Sequence, residues 1–206
     1  MTTKFVYAAN IIKEIENIEK QANSATSIEE NTTLMNKIEQ LRLIIKDVVL
    51  TYYYNGYVKR EMWVKDGKIH RSDGAPADIE YSEFNRMISE SWYTDGKLHR
   101  IDGPAVIGYF VTGQVQYERW YKDGAYHRID GPAVISYFRN ILIPYESWYT
   151  TSIETGRVEH EAWYTDGKLH RVDAPAVISY FENGRIEWNM RYINGKFYSF
   201  IDDPLC

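Results

Sequence analysis

Apolar residues near the start of the chain recur with a helical period. Ile11, Ile15 and Ile18 fall at i, i+4 and i+7 and form one stripe. The run QANSATS interrupts it, and Ser27 followed by Glu30 is a capping-box pattern that opens a second helix. Ile28, Met35, Ile38, Leu41 and Ile45 can share the apolar side of that helix. Two helices with a short loop between them predict an αα-hairpin over residues 1–50. Its plainest role is to pack on, or cap, the rest of the chain. The stripe is too short and irregular to favour a dimerising coiled coil.

From about Tyr52 the helical period stops and a repeat begins. Its copies read EMWVKDGKIHRSDGAPA, ESWYTDGKLHRIDGPAVIGYF, ERWYKDGAYHRIDGPAVISYF and EAWYTDGKLHRVDAPAVISYF, with tryptophans at Trp63, Trp92, Trp120 and Trp163. The first interval exceeds the second by Ala75, inserted between Gly74 and Pro76. The third is lengthened by a segment around ESWYTTSIETG that carries its own Glu146, Trp148 and Tyr149, like a partial copy extending a hairpin. The tail MRYINGKFYSFIDDP is a degenerate fifth copy of the kind that caps a repeat array. This divides 51–206 into copies near 60–88, 89–116, 117–160 (with the insert), 161–188 and a cap at 189–206.

Each copy holds two turn signals. Asp66-Gly67, Asp95-Gly96, Asp123-Gly124 and Asp166-Gly167 favour two-residue type I′ hairpins. Thr112-Gly113 and Asn183-Gly184 follow the Tyr-Phe pair. Each copy should therefore add about two antiparallel strands to one meandering sheet, which makes the fold class α+β. A two-residue turn fixes the register: Tyr93 faces Leu98 and Trp92 faces His99. The same rule pairs Trp63 with His70, Trp120 with His127 and Trp163 with His170. Tyr93 with Leu98, and Tyr164 with Leu169, then fall on the opposite face. One face is expected to be buried, and the other to bind a partner through Tyr93, Tyr121, Tyr149 and Tyr164. In the Arg-x-Asp-Gly-Pro-Ala stretch, Ala174 replaces glycine in the fourth copy. A close backbone approach, not a positive φ, is thus the expected reason for glycine there.

Composition narrows the function. Eighteen Tyr and 6 Trp fit β-structure. A net charge of -5 argues against nucleic acid as a partner, since phosphate binding needs a basic field. Cys206 is the only cysteine, so no disulfide can form within the chain. The N-terminus makes a poor signal peptide, and no apolar run approaches the ~20 residues of a membrane span. A cytoplasmic protein is expected.

The WYxDGKLHRxDGPAV pattern resembles that of uncharacterised tandem-repeat proteins of large DNA viruses and some bacteria. More distantly it is similar to the MORN repeat, through Trp92, Gly96, Lys97 and His99. The resemblance covers residues from about 52 onward. It implies an array of β-hairpins acting as a scaffold, sometimes at a lipid surface. A viral source would place the protein in host cytoplasm or the virion. The period here is longer than in MORN, and Arg-x-Asp-Gly-Pro follows the histidine where MORN has Gly-x-Gly.

Glu61, Glu90, Glu118 and Glu161 each stand two residues before a repeat tryptophan. A glutamate, a histidine and an aspartate in proximity suggest acid–base chemistry. An active site is a unique constellation, however, and this set recurs in every copy, as hydrogen-bond ladders do. Metal binding fails on geometry: equivalent histidines lie roughly 10 Å apart, twice the strand spacing, whereas zinc ligands sit about 2 Å from the ion. No catalytic motif and no cofactor motif is found. The expected function is a non-enzymatic protein-interaction scaffold. A lipid- or glycan-surface binder is the alternative, and an enzyme with a cleft made by the 139–160 insert, using His160 or Glu154, comes third. Self-association is expected through the helices or an uncovered sheet edge.

Overall fold

A computed structural model describes residues 8–139 and 156–202. Two helices, α1 (Ala8–Ser24) and α2 (Ile28–Ile45), form the expected hairpin. Ser27 is the N-cap of α2; its Oγ accepts from the Glu30 amide at 3.1 Å, and Glu30 Oε2 accepts from the Thr26 amide at 3.3 Å. Ile11, Ile15, Ile18 and Ile38 bury together, with Leu34, Leu41 and Ile45 against them. The predicted apolar side of α2 needs correction. Ile28 sits in the first turn and is exposed, as is Met35, because the buried stripe runs through Leu34 and Ile38 instead. Lys37–Glu14 and Arg42–Glu19 pairs tie the outer sides of the helices. Neither helix is long and apolar enough to cross a membrane.

The strands follow the repeat. The chain forms β1 (Val48–Tyr52), β2 (Val58–Lys65) and β3 (Lys68–Ile69), then β4 (Asp78–Tyr81), β5 (Met87–Ser91), β6 (Tyr93–Thr94) and β7 (Lys97–Leu98). The next copy gives β8 (Val106–Tyr109), β9 (Val115–Arg119), β10 (Tyr121–Lys122) and β11 (Ala125–Tyr126). After it come β12 (Val134–Tyr137), β13 (Val158–Ala162), β14 (Tyr164–Thr165) and β15 (Lys168–Leu169). The last are β16 (Val177–Tyr180), β17 (Ile186–Ile193) and β18 (Lys196–Asp202). The longer strands pair in chain order, β1-β2-β4-β5-β8-β9-β12-β13-β16-β17-β18, an antiparallel meander. α1 packs against β2 at the start of this sheet.

One feature was not expected. The Asp-Gly hairpins β6-β7, β10-β11 and β14-β15 form separate two-stranded ladders outside the main sheet. Each inner copy therefore contributes two strands to the sheet and a second, smaller hairpin beside it. The type I′ turns are present: Asp66, Asp95, Asp123 and Asp166 have φ of 47–52°, and the following glycines are also positive. The predicted register holds, with Tyr93↔Leu98, Tyr121↔Tyr126 and Tyr164↔Leu169.

Across the main sheet, residues placed directly opposite share a face. One register row reads Leu50, Glu61, Ile79, Glu90, Ile107, Glu118, Ile135, Glu161, Ile178, Asn189, Ile201. Glutamate and isoleucine alternate along it because each copy gives one strand of each kind. Glu61 and Ile79, near the helical end, are fully buried. β12 and β13, on either side of the insert, pair antiparallel; residues 140–155, including Tyr149 and Glu154, lie outside the described residues.

Candidate interaction surface

The repeated residues build contacts between copies. In each copy the histidine amide donates to the tryptophan carbonyl, at 2.9 Å for His70–Trp63 and 3.0 Å for His99–Trp92, closing the small hairpin. Nδ1 of that histidine then reaches the next copy. His70 accepts from the Asp95 amide (3.2 Å), His99 from Asp123 (3.2 Å), His127 from Asp166 (3.4 Å) and His170 from Asn194 (3.0 Å). In the first three copies the same Nδ1 also lies 3.0–3.3 Å from the Asp95, Asp123 or Asp166 carboxylate: carrying a proton it donates to that oxygen, and without one it accepts from the amide. The glycine amide beside it donates backward too: Gly96 to Ile69, Gly124 to Leu98, Gly167 to Tyr126 and Gly195 to Leu169, each at 2.8–2.9 Å. These four turns are thus each held by the copy before them, and the first, Asp66-Gly67, precedes the ladder.

The arginine after each histidine covers the tryptophan. Arg71, Arg100, Arg128 and Arg171 lie 3.7–3.9 Å from the ring centroids of Trp63, Trp92, Trp120 and Trp163. Each also donates to a proline carbonyl, Pro76, Pro104, Pro132 or Pro175. The first three arginines pair with Asp73, Asp102 and Asp130. Arginine suits this position because its plane stacks while its edge donates in a fork. A methyl on Gly103 or Gly131 would approach the guanidinium carbon to 3.2 or 2.9 Å, and neither glycine has a positive φ. Glycine there makes room for the arginine side chain; the absence of a positive φ is as expected, but the close neighbour is a guanidinium and not the backbone. The first copy differs: with Ala75 inserted, Gly74 takes φ +80°.

The glutamates are engaged by tyrosines of the following strand. Tyr109 donates to Glu90 (2.6 Å), Tyr137 to Glu118 (2.8 Å) and Tyr180 to Glu161 (2.7 Å). Burial, with this bond, pushes the Tyr137 and Tyr180 hydroxyls well above the ordinary tyrosine range. Burial also pushes the Glu161 carboxyl up. Trp92 Nε1 donates to the Gly74 carbonyl of the preceding copy at 2.9 Å. Trp63 belongs to the first copy, has no such loop before it, and its buried indole N–H has no partner among the described residues.

Of the tyrosines expected to present a surface, Tyr93, Tyr121 and Tyr164 lie half-buried beside neighbouring hairpins, and Tyr149 lies outside the described residues. Tyr121 stacks on Tyr126 (centroids 4.3 Å apart), and Tyr126 meets Tyr164 at 4.9 Å. Burial raises the hydroxyl pKa of Tyr93, Tyr121 and Tyr164. His160 stands on β13 between Ser136 and Ser179, its ring 5.8 Å from Trp188, and burial lowers its pKa. Among the described residues no group of three His, Cys, Asp or Glu is arranged to hold a metal ion.

Sequence reasoning missed the residue between Arg and Asp in the repeat. Ile101, Ile129 and Val172 are 93%, 90% and 63% exposed. The first two flank a groove of about 760 Å³ that is also lined by Trp120, Tyr121 and Lys122 and by the ladder histidines His99 and His127. An apolar side chain recurring inside an Asp-Gly-Pro turn, where polar residues are usual, was the available signal. Set against protein-family models, curated proteins and solved structures, the chain matches none.

Proposed function

We propose that the protein is a non-enzymatic scaffold that binds a protein partner along the row of Arg-x-Asp loops. The observation that carries this reading is the exposure of Ile101, Ile129 and Val172 at one repeat position. The polar residues of the repeat have a different use, since histidine, arginine and glutamate each meet a neighbour within the array. Apolar side chains recurring at the same exposed position cost solubility unless something covers them. The groove between the second and third loops gives such a partner a concave seat beside Trp120 and Tyr121.

The reading is tested with a photo-crosslinking amino acid placed at Ile101, Ile129 or Val172, and at Lys122 on the neighbouring hairpin. All three loop positions should label one and the same protein, and Ile129→Ser should reduce its capture from an Ile101 probe. Labelling from Lys122 alone, or different products from each loop, would remove the proposal.

A further inference from the structure

The sheet ends on β1 and β18, each paired with a single neighbour in the main order. An open edge offers unpaired N–H and C=O groups to any other strand, and natural proteins guard such edges with charges, bulges or a cover. β18 reads KFYSFID and leaves Phe197, Tyr198 and Phe200 exposed by 51%, 58% and 46%. It carries one lysine and a bulge at Tyr198, both edge-guarding features.

The residue order of β18 is complementary to itself. Laid antiparallel on a second copy with Ser199 opposite Ser199, it sets Tyr198 opposite Phe200 and Phe197 opposite Ile201. Lys196 then stands opposite Asp202 at both ends. Aromatic and opposite-charge pairs are those that stabilise an antiparallel register, and opposed like charges destabilise it. A parallel arrangement in register would place Lys196 beside Lys196 and Asp202 beside Asp202. A slip of one residue in one direction sets Lys196 opposite Ile201; a slip in the other keeps an acid opposite it, Asp203, but sets Phe197 opposite Asp202 and breaks the Tyr198–Phe200 pair. The lysine that repels other edges is therefore satisfied by this one. β1, by contrast, reads VVLTY and has no charge with which to choose a partner or a register.

We infer that β18 is a self-association edge, at which two copies of this chain pair antiparallel over residues 196–202 about a two-fold axis at Ser199. The contact is isologous, so it uses up both β18 edges and stops at a dimer. One short, bulged strand per copy covers less area than a standard interface, so monomer and dimer exchange with concentration.

Sedimentation velocity of the full chain over a wide concentration range, at low salt, tests this. A dimer whose share rises with concentration is expected. Lys196→Glu changes an exposed residue and opposes like charges at both ends, so it should weaken the dimer about tenfold or more. Asp202→Lys should do the same, and the double exchange should restore the parent dissociation constant. Far-UV circular dichroism and the melting midpoint confirm that each variant is folded. A monomer at every concentration overturns the inference. So does a dimer that ignores the exchange, or assembly beyond two copies.

Discussion

A glycine held at positive φ and a glycine crowded by a guanidinium respond differently to an added methyl. Gly96 has φ +80° in its type I′ turn, where an L-residue is strained whatever the space around it. Gly103 has ordinary φ, and its nearest neighbour is the end of the Arg100 side chain, at 3.2 Å, which can give by a few tenths of an ångström where backbone cannot. Gly96→Ala should cost about 1 kcal/mol or more, and Gly103→Ala clearly less, by urea denaturation. Equal costs would refute the distinction. His160 supplies a pH test. Its pKa is lowered by burial, so the folded chain favours the neutral ring. On acidification the unfolded chain binds that proton first, near the ordinary value of 6.5, and stability falls until the folded ring titrates as well. Relative to the parent, His160→Gln should therefore gain in melting midpoint as pH drops from about 7.5 to about 5, across the ordinary histidine pKa. A difference that stays constant with pH would contradict this.

At the scale of the element, the small hairpin is the unit that joins copies. His99→Ala removes the ring nitrogen that meets both the amide and the carboxylate of Asp123 and should cost about 0.5–1.5 kcal/mol, as for one intramolecular hydrogen bond. Amide exchange should quicken at Asp123 while the β8-β9 ladder stays protected. Unchanged exchange at Asp123 would show that the cap carries nothing. The turns, the register and the helix cap were legible in the sequence because each is set by two or three adjacent residues, such as Asp95-Gly96 or Ser27 with Glu30. The departure of the small hairpins from the main sheet was not. It depends on the Arg-x-Asp-Gly-Pro stretch turning the chain back beside the previous strand, and on contacts to the next copy. For the same reason the tyrosines could be placed opposite their partners but not seen to stack between hairpins. The exposed Ile101 and Ile129 were hidden by their neighbours, which read as turn residues. The terminal copy also makes sense at this scale. It keeps Asn194-Gly195, which receives the cap from His170, and replaces the Trp, Glu and His positions with Arg191, Asn189 and Tyr198. It accepts the last rung and offers none onward, while β17 and β18 run on as a plain edge pair.

Over the whole molecule, polar ladders within and between copies hold the array together, and the loop row faces solvent. This separates two kinds of substitution. Residues of the ladder should govern stability, and residues of the loop row should govern binding. The most direct measurement compares Ile101→Ser/Ile129→Ser with His70→Ala/His170→Ala, two ladder histidines that do not line the groove, reading melting midpoint and partner capture for both at a temperature where each is folded. The loop pair should keep the parent midpoint and lose capture, and the histidine pair should melt earlier and still capture. If the histidine pair instead loses capture at an unchanged midpoint, those side chains are a site in their own right and the division proposed here is wrong.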